Sequence, residues 1–222
     1  MLLPNSEKPD SGLEMKMDSK PIPDIVVGRL PIYLRALQHM AQSGRQVTSS
    51  QELGERLGIS AAQIRKDLSQ FGEFGKQGTG YEIDFLIENL DQILKVDRVW
   101  DIAVVGAGDI GSAVARYQGF ADRGFRVTMI FDNNPKIVGK KIGQFTIYDS
   151  ATLADTIQDA GVKIAMIAVP AVQAQEVADQ LVEAGIKAIL NYAPLSINVP
   201  EEVRVQHTDP VTHLQHMTYY LD

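Results

Sequence analysis

The stretch DIAVVGAGDIG, residues 101–111, is the strongest indication of the fold of the second half of this chain. A short apolar run, typical of a buried strand, leads directly into G-x-G-x-x-G, and a helical pattern follows. In such a turn the first glycine permits the sharp change of direction, the second lets a pyrophosphate approach the backbone, and the third allows the helix to pack closely on the strand. The free amides at the helix N-terminus then bind the diphosphate. We therefore expect cofactor contacts from Gly106, Ala107, Gly108, Asp109, Ile110 and Gly111.

An acidic residue at the end of the next strand supports a dinucleotide ligand. The run 126–131 ends in Asp132, which follows Gly111 by 21 residues. A carboxylate at that place accepts hydrogen bonds from ribose hydroxyls and repels a 2′-phosphate. The pattern predicts NAD(H) rather than NADP(H). A similar sheet that binds another nucleotide, coenzyme A or no ligand is the alternative.

The rest of the C-terminal half alternates between strand and helix patterns. Continuous apolar strands separated by helices of about 10–15 residues are typical of a parallel sheet covered on both faces. A last helix is expected to begin after Asp209, with Asp209 as its N-cap and Pro210 in its first turn. The predicted strands are 101–105, 126–131, 163–169, 187–190 and 203–206, and the predicted helices between them are 111–120, 151–160 and 171–184.

The N-terminal half is predicted to be mostly helical, with helices at 30–43, 49–57, 60–71 and 82–95. Two of these start at a serine that is followed three residues later by Glu or Gln: Ser49 with Glu52, and Ser60 with Gln63. This spacing is the capping box, in which side chains satisfy the free amides of a helix start. The short turn 57–59, which contains a glycine, joins the two helices. The arrangement predicts a helix-turn-helix.

The second helix of a helix-turn-helix enters the major groove of DNA with its N-terminal part toward the bases. Gln63 can hydrogen-bond base edges. Of Arg65 and Lys66 we expect one to read a base and the other to hold the backbone, in an order that the sequence leaves open. The glycine-rich stretch 72–81 predicts a β-hairpin wing that reaches an adjacent groove, and a plain three-helix domain with a mobile loop is the alternative. The expected DNA contacts are Ser49, Ser60, Gln63, Arg65, Lys66 and Lys76.

Charge is distributed unevenly along the 222 residues. The net charge is −7, but the segment 29–81 carries +3 and the remainder −10. A basic segment joined to an acidic body suggests a DNA-binding part and a part with another task. The chain has no cysteine, which excludes disulfides, thiolate metal sites and cysteine nucleophiles.

The N-terminal residues 1–20 are polar and without periodicity, so we expect a disordered tail there. They lack the order of a signal peptide, and no apolar run reaches the roughly 18 residues of a membrane span. These features predict a cytoplasmic protein with no membrane partner.

A catalytic role is not expected. After the last predicted strand about 15 residues remain, too few for the substrate domain of a dehydrogenase. His213 and His216 share a helix face, but no carboxylate completes a metal-binding spacing, so no metal is expected. A small NAD-dependent oxidoreductase with an accessory helical domain, a coenzyme A-binding module and a purely structural interaction protein are the competing interpretations.

Six stretches distributed over both halves are informative together: RLPIYLR (29–35), SAAQIRKDLSQFGEFGKQGTGY (60–81), VVGAGDIG (104–111), YQGF (117–120), ILNYAP (189–194) and NVPEEVRV (198–205). In this order they closely resemble the bacterial Rex family of redox-sensing transcriptional repressors. The resemblance runs from about Pro21 to the C-terminus. Gln77 departs from it, because many members carry a basic residue at that place in the wing.

The resemblance implies a fold and a function. The fold would be a winged helix-turn-helix domain (21–97), a Rossmann domain with a doubly wound parallel sheet (98–208) and a C-terminal helix (209–222) exchanged between the subunits of a homodimer. The family represses genes when NAD+ dominates, leaves operator DNA when NADH binds, and performs no turnover. Further cofactor contacts are expected from Tyr117, Val169, Pro170 and Asn191.

The resemblance also implies a switch of three residues, Arg35, Tyr117 and Asp209. Arg35 and Asp209 can form a charge-assisted pair that exists in only one arrangement of the domains. Tyr117 would reach the nicotinamide region, where NAD+ and NADH differ in charge and ring planarity. Our hypothesis is that NADH frees Tyr117 to compete for Asp209 and so breaks its pair with Arg35.

Overall fold

The computed structural model describes residues 21–75 and 80–221. The chain divides into two compact units with the boundary between Leu94 and Lys95. The predicted tail at 1–20, and Lys76 and Gln77 of the predicted wing, lie outside the described residues. Among the helices that the structure describes, none combines the length and the apolar character that crossing a bilayer requires.

The N-terminal unit is helical with one small sheet. Its helices are α1 (Asp24–Val27), α2 (Leu30–Gln42), α3 (Ser50–Leu57), α4 (Ala61–Leu68) and α5 (Ile83–Leu94), and its strands β1 (Val47–Thr48) and β2 (Tyr81–Glu82) pair antiparallel. Apolar residues at three- and four-residue spacing bury one stripe of each long helix. The fully buried core side chains include Leu30, Tyr33, Leu37, Leu53, Ile64, Ile83, Leu86 and Leu90.

Serine caps and a glycine turn produce the helix-turn-helix. Ser49 Oγ accepts the Glu52 amide at 3.1 Å, and Ser60 Oγ accepts the Gln63 amide at 3.2 Å. Gly58 ends α3 in the left-handed conformation (φ +67°), which glycine adopts without strain. These contacts confirm the predicted serine caps. The Glu52 side chain, however, accepts from Arg45 and Thr48, and the Gln63 side chain donates to Asp67. The second half of each capping box, in which these side chains would bond the backbone amide of the serine, was therefore predicted wrongly.

The C-terminal unit contains a seven-stranded sheet in the order β5-β6-β4-β3-β7-β8-β9. Six strands are parallel, and only β5 at the edge runs antiparallel to its neighbour. Numbered along the chain, the six parallel strands have the order 3-2-1-4-5-6 of a dinucleotide-binding sheet. The strands are β3 (Trp100–Val105), β4 (Phe125–Asp132), β5 (Lys141–Ile142), β6 (Phe145–Asp149), β7 (Ile164–Ile167), β8 (Ala188–Asn191) and β9 (Arg204–His207).

Helices cover both faces of the sheet. Alternating residues of β3 point to opposite sides: Val105 packs in the cluster of α7 and α8, and Val104 packs in the cluster of α6. The helices are α6 (Asp109–Arg116), α7 (Leu153–Ala160), α8 (Ala171–Glu183) and α9 (Pro210–Thr218), with short 3-10 helices at Gln118–Arg123 and Ser150–Thr152. A helix-turn-helix followed by a doubly wound α/β sheet is thus confirmed. Of the hairpin wing predicted at 72–81, residues 76–79 lie outside the described residues, and Tyr81, at the end of the stretch, pairs with β1.

One local prediction was wrong, and one element was missed. The helix predicted for 111–120 ends at Arg116, because Tyr117 adopts an extended conformation (ψ 112°) and a separate 3-10 helix follows. The hairpin of β5 and β6 was not predicted at all. Both strands are short and have one buried residue each, Ile142 and Ile147, so they lack the continuous apolar run of the central strands.

Candidate nucleotide pocket and nucleic-acid interface

The turn after β3 requires two of its three glycines for packing within the protein. Gly106 has φ +100°, and a Cβ atom there would lie 2.4 Å from the Ala168 carbonyl oxygen. A Cβ atom on Gly111 would lie 1.8 Å from the Gly106 carbonyl oxygen. These two positions therefore permit no side chain, because the loop after β7 lies against Gly106 and the first turn of α6 lies against the Gly106 carbonyl.

Gly108 is different from the other two. Its φ of −69° suits any residue, and a Cβ atom there would have no heavy atom within 4 Å. It borders a cavity of about 340 Å³ at the carboxyl ends of the parallel strands, which is where ligands bind in sheets of this type. Open space at Gly108 is what the predicted approach of a pyrophosphate needs.

Five other predicted residues lie at or near this cavity. Asp132, Val169 and Pro170 line it together with Gly106 and Gly108. Val169 and Pro170 follow β7, and Pro170 is the N-cap residue of α8. Asp109 and Ile110 form the exposed first turn of α6 beside Gly108. Three polar side chains of α8 also line the cavity, Gln173, Glu176 and Gln180, and none of them was predicted from the sequence.

Asp132 connects the ends of two neighbouring strands. Its Oδ2 accepts the backbone amide of Ala107 at 2.7 Å, and its Oδ1 accepts the amide of Asn134 at 2.8 Å. The backbone amide of Ala107, a residue that we expected to contact the cofactor, therefore donates its hydrogen bond to Asp132. A carboxylate oxygen has a second lone pair, so each oxygen retains an acceptor site for a ribose hydroxyl.

Asn191 lies at the end of β8 and is fully buried. Its amide nitrogen donates to the Leu195 carbonyl at 2.8 Å and lies 3.2 Å from Nδ1 of His207, while its Oδ1 accepts the Ala193 amide at 2.9 Å. The side chain thus organises the loop after β8, and its contact with a cofactor stays a prediction. Within the described ranges, no group of three acidic, histidine or cysteine residues is arranged for a metal ion.

Two of the predicted switch residues lie in the C-terminal unit. Tyr117, at the end of α6, is 52% exposed, and its hydroxyl accepts a hydrogen bond from Arg123 at 3.2 Å. Its ring meets Phe120 edge to face at 5.0 Å. Asp209 is the N-cap of α9 and accepts the Val211 amide at 2.9 Å, as predicted. The third switch residue, Arg35, is exposed on α2 of the N-terminal unit.

Helix α9 leaves its apolar side chains uncovered. Val211, Leu214 and Met217, at helical spacing, are each more than half exposed. The aromatic end of the chain, Tyr219 and Tyr220, is exposed to a still greater extent. Apolar exposure of this size on one short helix is typical of a surface that another molecule covers.

The structure distinguishes the two basic residues of α4. Arg65 donates a hydrogen bond to Ser50 Oγ at 2.9 Å and so connects α4 to the start of α3. Lys66 is exposed, and its ammonium group has no acceptor among residues 21–75 and 80–221. Ser49 and Ser60 are exposed at the starts of α3 and α4, and their hydroxyls serve as helix caps.

Helix α4 also carries a buried carboxylate, Asp67, that was not predicted from the sequence. Asp67 is 0% exposed and accepts four hydrogen bonds. Oδ1 accepts from Arg29 Nη2 and from Gln63 Nε2, both at 2.7 Å, and Oδ2 accepts from Arg29 Nε and from the Tyr33 hydroxyl, both at 2.6 Å. The network connects α4 to the start of α2. One signal was available: Asp67 falls on the apolar spacing of Ile64 and Leu68, where a charged residue needs a partner.

The network shifts the pKa values of its members. Burial alone would raise the pKa of Asp67, but hydrogen bonds from Arg29, Tyr33 and Gln63 outweigh burial and leave the pKa below its ordinary value. For Tyr33, burial and the hydrogen bond to Asp67 raise the pKa of the phenol to about 12. Asp67 is therefore ionised and acts only as an acceptor at neutral pH.

Comparison with known proteins places both units in one family. Residues 21–69 match a family described as "Putative DNA-binding protein N-terminus", and residues 97–195 match the CoA binding domain family. The redox-sensing transcriptional repressor Rex of Chloroflexus aurantiacus is 53% identical over 199 residues, which cover 90% of this chain and 94% of that protein. The repressor of the same name from Brevibacillus brevis is 45% identical over 200 residues, 90% of this chain and 97% of that protein.

Solved structures agree with the sequence relatives. RSP in complex with beta-NAD+ and operator DNA has a TM-score of 0.87 and 38% identity, and the match covers 91% of this chain and 94% of RSP. RSP in complex with beta-NADH has a TM-score of 0.83 and 36% identity over 91% of this chain and 95% of RSP. RSP is described as a Rex-family repressor. With this identity over nine-tenths of its length, the chain belongs to the Rex family of redox-sensing transcriptional repressors.

Proposed function

We propose that this chain is a transcriptional repressor that senses the NADH/NAD+ ratio. Its N-terminal unit binds double-stranded operator DNA, and NADH bound by its C-terminal unit releases that DNA. The observation that carries the proposal is the presence of both parts in one chain: a helix-turn-helix with an exposed Lys66, and a dinucleotide turn that is open at Gly108. Its relatives are named for repression and not for catalysis, so the proposal includes no enzymatic turnover.

The DNA contacts follow from the geometry of α3 and α4. Helix α4 lies in the major groove, Lys66 reaches a phosphate or a base, and Ser49 and Ser60 lie at helix starts whose amides favour phosphates. Arg65 supports this surface through Ser50 and can still offer its other guanidinium nitrogens to DNA. Lys76 in the wing completes the predicted set.

The cofactor contacts follow from the cavity beside Gly108. The diphosphate lies on the turn and on the first residues of α6, Asp109 and Ile110, and the adenosine ribose hydrogen-bonds Asp132. NADH and NAD+ are the ligands, since Asp132 would repel the 2′-phosphate of NADP(H). Val169, Pro170 and Asn191 are proposed as further contacts, and Tyr117 as the contact near the nicotinamide.

The exposed apolar side chains of α9 support a homodimer in which this helix is exchanged between subunits. Two-fold symmetry would make the operator palindromic. Asp209 at the start of α9 then pairs with Arg35 in the DNA-bound arrangement, and Tyr117 competes for Asp209 when NADH is bound. A shift of the ratio of DNA-binding to released chains from roughly 99:1 to 1:99 requires that NADH bind the released state more tightly by about 5.5 kcal/mol, which two cofactor sites can share. Because its proposed ligands, DNA and NAD(H), are found in the cytoplasm, we place the protein in that compartment.

The test uses the full chain and a duplex selected by it from a random DNA library. Retention of the labelled duplex is measured by fluorescence anisotropy while the NADH/NAD+ ratio is raised at constant total nucleotide. We expect retention at low ratios and release at high ratios. Retention that is independent of the ratio would refute the proposal.

One observation favours a second candidate ligand, because residues 97–195 match the CoA binding domain family. Coenzyme A also carries a diphosphate, and it would fit the same turn. In the anisotropy assay, release by coenzyme A and not by NADH would favour this candidate. Loss of NADH absorbance with carbonyl compounds would instead favour the oxidoreductase interpretation.

A further inference from the structure

The recognition helix α4 carries a glutamine whose amide orientation is determined by its surroundings. Gln63 Nε2 donates to Asp67 Oδ1 at 2.7 Å, four residues along the helix. An ionised carboxylate can only accept hydrogen bonds, so the group of Gln63 that faces Asp67 must be the NH2 group and not the carbonyl. The chemistry of the pair therefore decides an orientation that is otherwise ambiguous for amide side chains.

Asp67 is in turn held in place by the rest of the network. Arg29 forms a bidentate pair with both oxygens of Asp67, and the Tyr33 hydroxyl donates to Oδ2. With the Gln63 bond, all four acceptor sites of the carboxylate are used. Asp67 is fully buried, whereas Gln63 is half-buried at the start of α4. Rotation of the Gln63 amide by a half-turn would place its carbonyl against the carboxylate, which is repulsive.

The amide of Gln63 still has two unused hydrogen-bonding groups. One hydrogen of Nε2 is directed to Asp67, and the other hydrogen and the carbonyl Oε1 have no partner among residues 21–75 and 80–221, so they can bind a ligand. An acceptor beside a donor is the pattern that glutamine uses for adenine, accepting from N6 and donating to N7. Guanine presents two acceptors, O6 and N7, and so requires two donors. The held amide offers only one donor next to its acceptor.

We infer that Asp67 is a positioning residue for base recognition: it holds the Gln63 amide so that α4 reads an A·T pair and rejects G·C at the position that Gln63 contacts. The inference rests on the proposed function, since it requires α4 to lie in the major groove. It concerns which base pair is preferred and is independent of the response to NADH.

The experiment compares base preferences by selection from a random duplex library with the full-length chain. A bidentate contact of this kind is worth about 1–3 kcal/mol of discrimination, which corresponds to a roughly 5- to 150-fold preference. In Gln63→Ala we expect this preference to disappear at one position of each half-site, and we expect the wild-type pair there to be A·T. A G·C pair at that position, or preferences unchanged by Gln63→Ala, would overturn the inference.

The positioning role is tested with Asp67→Asn. An asparagine amide accepts at one end only, so it no longer excludes the reversed orientation of the Gln63 amide and it cannot keep both hydrogen bonds from Arg29. We therefore expect the A·T preference at that same position to weaken. Tyr33→Phe is the matched control, because it removes a hydrogen bond from the other oxygen of Asp67 and leaves the bond to Gln63. Equal changes of preference in both variants would assign Asp67 a purely structural role and overturn the inference.

Two further outcomes are distinguishable. Should Asp67→Asn fail to fold, Gln63→Ala still decides the identity of the base pair, because Gln63 is half-buried and alanine favours the helix. Wild-type chain that selects no duplex contradicts the proposed function itself. Wild-type chain that binds DNA and releases it with NADH, but shows no A·T position dependent on Gln63, contradicts only the inference.

Discussion

The carboxylate of Asp132 accepts the backbone amide of Ala107 at 2.7 Å and thereby joins the end of β4 to the turn that follows β3. The same carboxylate accepts the Asn134 amide at 2.8 Å. Asp132 is therefore held at the edge of the cavity by the backbone amides of two loops. A side chain in this position can select between cofactors without rearranging.

We expect Asp132→Arg to change cofactor selectivity. The variant removes an acceptor for the ribose hydroxyls and adds a cation for the 2′-phosphate, so the affinity for NADPH relative to NADH should rise at least tenfold. The measurement is titration of both reduced cofactors by fluorescence. Asp149→Asn is a suitable control, since Asp149 accepts a backbone amide in the same way at the end of β6, the neighbouring strand. Unchanged selectivity in Asp132→Arg would count against the ribose assignment.

Substitutions of Gly111 and Gly108 should have different effects, the first on stability and the second on NADH binding. In Gly111→Ala the new methyl group would overlap the Gly106 carbonyl, so we expect a loss of stability of about 3 kcal/mol or more. In Gly108→Ala the methyl group enters open space, so stability should be unchanged within about 0.5 kcal/mol while NADH binding weakens at least tenfold. Denaturant unfolding and NADH titration measure the two effects. Normal NADH affinity in Gly108→Ala would mean that the diphosphate does not approach this residue.

The shifted pKa values of Tyr33 and Asp67 predict that the free energy of unfolding decreases at both high and low pH. The pKa of Tyr33 is raised to about 12 in the folded chain, so its contribution is complete below about pH 10 and is lost as the pH rises toward 12. The pKa of Asp67 is lowered, so its contribution is present above about pH 4 and is lost as the pH falls below that value.

Tyr33→Phe isolates the alkaline part of this dependence. We expect it to cost about 1–3 kcal/mol at neutral pH, because the buried carboxylate loses a donor. We also expect it to reduce the loss of stability between about pH 10 and 12, to which Tyr81 and Tyr192, whose pKa values are raised by burial, also contribute. Denaturant unfolding of both proteins across this pH range is the measurement. An identical alkaline decline in Tyr33→Phe would show that another group is responsible.

Much of the fold could be predicted because it depends on local patterns. Central strands are continuous apolar runs, and the starts of α3, α4 and α9 carry their own capping residues, Ser49, Ser60 and Asp209. Edge strands such as β5 give only a weak pattern, since few of their side chains are buried. The end of α6 at Arg116 was missed because Tyr117 is compatible with a helix and leaves it only in the folded unit.

In the candidate sites, too, the residues that belong to a local motif were predictable and those that depend on distant contacts were not. The glycines of the turn and Asp132 belong to a motif with fixed spacing, so they could be recognised from sequence. The partners of Asp67 could not, because Arg29 lies 38 residues earlier in the chain and reaches Asp67 only after α2 packs on α4. The separate roles of Arg65 and Lys66 likewise depend on Ser50, which contacts only one of them.

Lys66 should contribute to DNA affinity without contributing to stability. Its ammonium group is exposed and makes no hydrogen bond within the described part of the chain, so Lys66→Ala should leave the unfolding transition unchanged and weaken DNA binding at least tenfold. If Lys66 holds a phosphate, the salt dependence of log K should also decrease by about one unit. Arg65→Ala serves as the comparison, because it additionally removes the bond to Ser50 and should lower stability. Unchanged DNA affinity in Lys66→Ala would exclude a contact role.

We propose that the cofactor site and the DNA site are coupled, and coupling of binding energies is reciprocal. The most direct test is the affinity of the full-length chain for NADH, measured by titration with and without saturating selected duplex. We predict that the duplex weakens NADH binding by the same factor by which NADH weakens DNA binding. Equal NADH affinities in the two titrations would contradict the account.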